Sequence, residues 1–408
     1  MEGSVVRIVI SGQTYYPATN GQAVFTVRLA EGLARAGHPV MVVVPSDHVT
    51  SYSIIRNGVR VEGLSAAPLG ASYPDAYLAL LPAARVHQLF DEFRPDVVHI
   101  QDHYPLSRRV MMEGRQRGLP VAGTNHFLPA NIIHYINKIP WTRPVVEHLL
   151  WWTMIQAYDK VDVVTTPTRT AASILKAQGL GVPVFPISCG VDLSKFRPMP
   201  DLDRGAVRRE FGLDVHKTLF IYLGRVDQEK RLDVLLDALA LLSRSDIQLA
   251  IVGTGRYDAV MHERAGELGL LGQGRVVFTG RVTGEALPPL LNSADIFAMP
   301  SEAELQSIAT LEAMATGLPV LAANANALPE LVHSGVNGYL FTPGDPQDAA
   351  RRMAQLADAP ADWPAMGRAS RAMVRRHSLT RTLRRYTDLY RGLTQRPWGG
   401  SRLFPHAQ

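Results

Sequence analysis

A chain of 408 residues is long enough for two or perhaps three domains, each able to bury a core of its own. Hydrophobic residues at 46% and charged ones at 19% mark a globular protein and exclude a disordered one, while a net charge of +5 and a pI near 9.3 suit an anionic substrate or an acidic lipid surface as well as nucleic acid. No basic run of nucleic-acid type is present, and a single cysteine, Cys189, excludes an internal disulfide framework and fits a reducing compartment, where it reads as a packed small hydrophobe.

The opening, MEGSVVRIVI, runs straight into a strand with no basic segment, long apolar stretch and cleavage site, so no secretory leader is expected. No apolar run reaches about 18 residues, so no bilayer-spanning helix is expected either. Strand patterns at Val5 to Ser11, Pro39 to Pro45, Pro95 to Gln101, Pro120 to His126, Val161 to Thr166 and Pro183 to Ser188 alternate with helical ones, such as Gln22 to Ala36 stopped by Gly37. Alternation of this kind predicts a parallel sheet with right-handed crossovers.

Phe127 to Tyr158 interrupts the pattern. Trp141, Trp151 and Trp152 stand there beside Lys138 and Arg143, the composition of a membrane-surface or hydrophobic-acceptor site. An amphipathic helix packed on its own domain has the same composition, so both readings stay open.

Prolines and polar residues in Gly190 to Asp203 (GVDLSKFRPMPDLD) mark a domain boundary. A first domain is expected over 1–192 and a second over 193–375. Strands then resume at Thr218 to Val226, Ile247 to Gly253, Arg275 to Val282, Asp295 to Pro300 and Pro319 to Ala323, giving a second doubly wound domain. A last helical segment near Leu379 to Thr394, within 376–395, is expected to cross back to the first domain.

The richest stretch is Met299 to Val320, MPSEAELQSIATLEAMATGLPV. Strand Asp295 to Pro300 leads through a turn into helix Ser307 to Thr316, so the amides of Gln306, Ser307 and Ile308 and the positive end of the helix dipole suit a diphosphate. Glu312 lies one turn beyond Ile308 and suits a pair of ribose hydroxyls, while Glu304, before the helix, suits a sugar on the other side of the phosphates. Solvated acids at a helix start are the plainer alternative for any one of these glutamates.

With Glu304 and Glu312 separated by seven residues, with LGRVDQEKR at Leu223 to Arg231, SCGVDLSKF at Ser188 to Phe196, and Asn20-Gly21 ahead of AEGLARAGHPVMVVVP at Ala30 to Pro45, the chain resembles the retaining glycosyltransferases of the GT-B fold, family 4 type. The resemblance runs from Ile8 to about residue 390. It implies an α/β architecture of two Rossmann-like domains facing across a cleft, the first for the acceptor and the second for a nucleotide diphosphate sugar. It further implies catalytic roles for His126, Arg225, Lys230 and Glu304. Donor contacts would come from Asn20, Gly21, Gly224, Gly253, Arg281, Val282, Gln306, Ser307, Ile308 and Glu312. No cofactor and no metal is expected, because Arg225, Lys230 and the amides near Ser307 would offset the leaving diphosphate. The only Asp-x-Asp, Asp201-Leu202-Asp203, falls in the linker. Ordinary readings stand beside these roles: a surface ion-pair set for Arg225 and Lys230, a strand-end histidine for His126, and a plain turn for Asn20 and Gly21.

The chain departs from the family pattern where Phe-Gly usually follows the first glutamate, carrying Gln306-Ser307, and where Gly-Gly usually precedes Pro-Glu, carrying Asn326-Ala327. A glutamine near Glu304 is similar to the glycolipid-forming members, such as those that glucosylate diacylglycerol. The expectation is therefore a retaining, metal-independent transfer of a hexose, from UDP-glucose or a relative, to a membrane lipid hydroxyl by a cytoplasmic protein in peripheral contact with the membrane's inner face. Alternatives are a GDP-mannose donor, a soluble sugar or phosphatidylinositol acceptor, and a non-catalytic sugar-nucleotide-binding subunit. A nicotinamide-linked oxidoreductase is disfavoured, because the first strand leads into SGQTYYPATNG instead of Gly-x-Gly-x-x-Gly.

Overall fold

The computed structural model describes residues 4–395 apart from 19, 49, 69–76, 81, 82, 132 and 134–139. The chain forms two compact units. The first comprises the chain up to Pro129, the stretch ending at Ser188 and the chain from Thr380; the second is Cys189–Leu379 with a short stretch beginning at Ala130.

In the first unit the strands are β1 (Ile8–Ser11), β2 (Val40–Pro45), β3 (Tyr52–Arg56), β4 (Val59–Leu64), β5 (Ala66–Pro68), β6 (Tyr77–Ala79), β7 (Val97–Ile100), β8 (Val121–Thr124), β9 (Val163–Thr166) and β10 (Val184–Pro186). Its main sheet runs β10-β9-β8-β7-β1-β2-β4-β3, parallel except for the antiparallel edge pair β3–β4. Strands β1, β2 and β7 are buried along their whole length, as a sheet covered on both faces requires. The helices are α1 (Gly21–Arg35), α2 (Ala83–Phe93), α3 (Pro105–Gln116), α4 (Arg143–Tyr158) and α5 (Arg169–Ala177).

The second unit holds α6 (Arg204–Glu210), β11 (Thr218–Leu223), α7 (Leu232–Leu241), β12 (Ile247–Val252), α8 (Asp258–Glu267), β13 (Val276–Gly280), α9 (Leu287–Ser293), β14 (Ile296–Met299), α10 (Ile308–Thr316), β15 (Val320–Ala323), β16 (Gly338–Phe341), α11 (Pro346–Ala357) and α12 (Trp363–Val374). Its sheet, β13-β12-β11-β14-β15-β16, is parallel throughout. Both doubly wound parallel sheets are those the alternating pattern predicts. Strands β3 to β6 and β16 add to that reading. Tyr52–Arg56 is an edge strand with an exposed middle, and lacks the continuous apolar run by which the buried strands announce themselves.

The last helix, α13 (Leu379–Thr394), packs on the first unit. Leu383 lies so close to Gly32 of α1 that a methyl group on that glycine would stand 2.5 Å from it. Tyr386 and Tyr390, both fully buried, put their hydroxyls 3.0 Å from Thr165 Oγ1 and 2.7 Å from His99 Nδ1. Among the described residues no helix is long and apolar enough to cross a membrane.

Candidate active site

In the second unit the strand order reverses at β11, which pairs with β12 on one side and β14 on the other. Loops after β11 and β14 therefore leave the carboxyl edge on either side of the point where open α/β sheets take ligands. The first carries Gly224, Arg225 and Lys230, and the second carries Glu304, Gln306 and Ser307. Lys230 Nζ donates to Glu304 Oε1 at 2.6 Å, with the two side chains only 15% and 12% exposed. Burial opposes the charge of Glu304. The Lys230 ammonium and hydrogen bonds from Lys230 and Ser301 outweigh it and hold the carboxyl below its usual value.

Arg225 reaches 2.5 Å from Asp227 and 2.9 Å from Glu229, and it is half exposed while both acids are buried. The acids act as a seat for the guanidinium. Asp227 also accepts from the Arg256 amide at 3.0 Å, and burial raises the Glu229 carboxyl despite Lys230 and Arg225.

Glycine at this edge is a matter of space. A Cβ on Gly253 would lie 1.8 Å from the carbonyl oxygen of Gly224, and one on Gly255 would lie 2.2 Å from that of Val226. The loops after β11 and β12 thus run backbone against backbone, tied by Gly224 N–H to Val252 O at 3.0 Å and Val226 N–H to Thr254 O at 3.1 Å. Arg281, exposed, and Val282, half-buried, follow the end of β13 on the same sheet.

At the start of α10, Ser307 is the N-cap, its hydroxyl accepting from the Thr310 amide at 3.1 Å. Ile308 opens the helix, and Glu312 lies one turn further on, 5% exposed. Gln306 behaves differently from a ligand-facing residue. Its Oε1 accepts from the Cys189 amide at 2.8 Å and its Nε2 lies 3.5 Å from His377 Nδ1, so its side chain braces the segment at Cys189. Cys189 itself is buried.

In the first unit the strand order reverses at β1, between β2 and β7. Asn20 caps α1, accepting from the Ala23 amide at 2.9 Å, and Gly21 is the first helical residue. His126, just past β8, shares a hydrogen bond with Gln101 Oε1 at 2.9 Å and its ring centroid lies 4.7 Å from that of Phe25. Burial pulls its pKa down to about 3, so the imidazole is neutral at pH 7.

Gln101 and Asp102 are residues the sequence reading did not single out. Asp102 accepts from the Gln13 amide at 2.5 Å, Gln22 Nε2 at 2.6 Å and the Tyr104 amide at 3.1 Å, tying the loop after β1 to the loop after β7. Their one signal in the sequence is position: Gln-Asp follows directly on the apolar run ending at Ile100, at the carboxyl edge of the strand.

The aromatic segment divides by exposure. Trp141 (81% exposed), Val145 (72%), Leu149 (55%) and Trp152 (54%) follow one another at helical spacing along α4 and the turn before it. Trp151 points the other way and packs on the first unit's core. Arg143 is exposed at the start of α4, and Lys138 lies outside the described residues. Among the described residues no group of three or more histidine, cysteine, aspartate or glutamate side chains is placed to hold a metal ion.

Residues 203–373 match the profile of the glycosyl transferases group 1, and residues 19–195 that of glycosyltransferase family 4. A D-inositol 3-phosphate glycosyltransferase of Actinosynnema mirum is 30% identical over 361 residues, 83% of this chain and 84% of the relative. The chain belongs to the family 4 glycosyltransferases. It is a hexosyltransferase by that membership. At 25% identity it is also similar to a GDP-mannose-dependent alpha-mannosyltransferase of Corynebacterium glutamicum, over 82% of this chain and 76% of the relative. An alpha-monoglucosyldiacylglycerol synthase of Streptococcus pneumoniae is 25% identical over 82% of this chain and 75% of the relative.

Solved structures agree on the fold of this glycosyltransferase. Sucrose-phosphate synthase from Thermosynechococcus elongatus superposes with a TM-score of 0.77 at 21% identity, covering 95% of this chain and 99% of that one. Anabaena HepE in complex with UDP-glucose gives 0.75 at 20% identity over 94% and 99%.

Proposed function

We propose that this glycosyltransferase moves a hexose from a nucleotide diphosphate sugar, UDP-glucose or a close relative, to a hydroxyl of a membrane glycerolipid such as diacylglycerol. It does so with retention and without a metal. The observation that carries the donor half is the Lys230–Glu304 pair at the switch point of the second sheet, with Arg225 on the same loop as Lys230. As the glycosidic bond breaks, the diphosphate gathers negative charge. An ammonium and a guanidinium held by buried acids are then already oriented to offset it, with little reorganisation at the moment of reaction. Glu304, kept ionised by Lys230, is an acceptor for the sugar's hydroxyls and for the positive charge that builds at its anomeric carbon. The acceptor's proton goes to the departing phosphate, so no protein nucleophile is required. His126, neutral, serves as a hydrogen-bonding group for the sugar.

The acceptor half rests on the exposed row Trp141, Val145, Leu149 and Trp152, since tryptophan's apolar body and N–H suit the boundary between acyl chains and water. The similarity to the monoglucosyldiacylglycerol synthase supports the same acceptor class. A second reading, transfer to a phosphorylated cyclitol in solution, is supported by the 30% identity with the D-inositol 3-phosphate enzyme. The two separate in one assay. Radiolabelled UDP-glucose and GDP-mannose are each incubated with the protein and diacylglycerol vesicles, or with inositol phosphate. Label extracted into organic solvent is the expected result. A new water-soluble labelled product, separated from unreacted donor by chromatography and formed only with inositol phosphate present, would replace the lipid reading with the second.

A further inference from the structure

Gln101 and His126 leave the carboxyl ends of the paired strands β7 and β8, beside the switch point of the first sheet. Their side chains meet, His126 Nε2 lying 2.9 Å from Gln101 Oε1. An amide oxygen only accepts, so the proton of this neutral imidazole is on Nε2. The ring is half-buried, and among the described residues its other nitrogen, Nδ1, has no hydrogen-bond partner. What that nitrogen has to offer is a lone pair.

Which end of the amide faces His126 is decided behind it. Gln101 is fully buried, and its Nε2 stands 3.2 and 3.3 Å from the two ring nitrogens of His99. Both nitrogens are already engaged, Nδ1 with the Tyr390 hydroxyl at 2.7 Å and Nε2 with Thr124 Oγ1 at 2.6 Å. Burial pulls the His99 pKa down to about 3, so the ring is neutral with one proton and one lone pair, and the two hydroxyls, each able to give or take, use both. An amide oxygen turned toward His99 would find no proton left to accept, whereas the amide NH₂ meets the ring's electrons favourably. The aim of this one amide thus runs back through His99 to Tyr390, so the last helix, α13, supports a group at the carboxyl edge of the sheet.

We infer that Gln101 is a positioning residue, holding His126 as the tautomer protonated on Nε2 so that Nδ1 accepts a hydrogen bond from a hydroxyl of the bound hexose. A hydroxyl fits that atom because it brings the proton; a carboxylate or carbonyl oxygen in the same place would bring only lone pairs. The inference rests on the sugar-binding role proposed for His126, but the state of the ring is tested apart from it.

Nitrogen NMR of the protein carrying isotope-labelled histidine, in mildly alkaline buffer, reads the tautomer directly, with the His126 signals assigned from their absence in His126→Gln. The parent should show Nε2 protonated and Nδ1 bare. Gln101→Met keeps the length of the side chain but takes away the accepting oxygen, and should let the two tautomers mix and draw the two nitrogen shifts together. Melting temperature checks that the variant folds; should it not, the parent's own proton position still decides. In the transfer assay Gln101→Met should lower kcat/KM for UDP-glucose about tenfold, the usual weight of one hydrogen bond. That deficit should vanish for one of the monodeoxy UDP-glucoses, the one lacking the hydroxyl that meets Nδ1. A proton on Nδ1 in the parent, or the parental nitrogen pattern in folded Gln101→Met, overturns the role of Gln101, and a deficit that persists across every monodeoxy donor overturns the hydroxyl contact. No turnover of UDP-glucose by the parent, with the proton on Nε2 and released in Gln101→Met, removes the transfer reading and leaves the assignment of Gln101 in place.

Discussion

Lys230 Nζ lies 2.6 Å from Glu304 Oε1, joining a residue of the loop after β11 to one 74 positions later on the loop after β14. The pair therefore sets the separation of the two loops that rim the switch point. Lys230→Ala should lower kcat/KM by about 10²–10³-fold, the usual consequence of removing one oriented charge-stabilising group. Glu304→Gln, which keeps the shape and part of the hydrogen bonding, should lower kcat more than it raises the donor KM. Steady-state kinetics with saturating acceptor checks both, and near-parental turnover in either variant would remove the pair from the reaction.

Gly253→Ala tests the close approach of the loops after β11 and β12. The new methyl would sit 1.8 Å from Gly224 O on a backbone with φ of +140°, so one of the two loops must move. A loss of about 2–4 kcal/mol in unfolding free energy is expected from overpacking and backbone strain together. Chemical denaturation of the purified variant measures it.

Gln306→Ala should separate bracing from binding. The substitution strips the buried Cys189 amide of its acceptor, with an expected destabilisation of about 1–3 kcal/mol. If Gln306 acts through that segment only, the donor KM stays within about twofold of the parent's, less than 0.5 kcal/mol. A donor KM raised well beyond that with unchanged stability would show contact with the sugar nucleotide.

Stability should fall in mild acid because of His99. Fully buried between Tyr390 and Thr124, it has its pKa pulled down to about 3 by burial and by the neighbouring His126, against 6.5 for an ordinary histidine. The unfolded chain therefore binds a proton that the folded one refuses. That contribution is complete above pH 6.5 and is lost progressively as the pH falls toward 3, amounting to about 2 kcal/mol at pH 5. Unfolding free energies measured between pH 7 and 5 should show a shallower slope for His99→Gln than for the parent; parallel curves would contradict the assignment.

Trp141→Ser with Trp152→Ser should weaken binding to lipid vesicles by about thirtyfold or more, as measured by co-sedimentation, each lost aromatic face being worth about 1 kcal/mol or more. Both side chains are exposed, so the melting temperature should hold. Vesicle binding equal to the parent's would disconnect the row from the membrane.

Much of this was legible in one dimension, for a physical reason: parallel strands buried on both faces read as near-continuous apolar runs. The runs that became β1, β2, β7, β11, β12 and β14 therefore stand out, and their alternation with 3.6-period segments points to parallel sheets with crossover helices. The helix start at Ser307 and its stop at Gly317 were legible too, because capping is a property of neighbouring residues. Strand β3 was not, since an exposed edge needs no continuous apolar pattern. Pairings across long separations were likewise hidden. Sequence placed Gln306 beside Glu304 and so with the donor, whereas the fold turned its amide to Cys189, 117 residues earlier. Sequence made Trp151 and Trp152 equivalent, and only the rotation of α4 about its axis sent one into the core and the other to solvent. Local chemistry thus determined which elements form and which residue types gather at the strand ends. Which side chains meet there was decided by packing, because hydrogen bonds and burial act over ångströms in space regardless of distance along the chain.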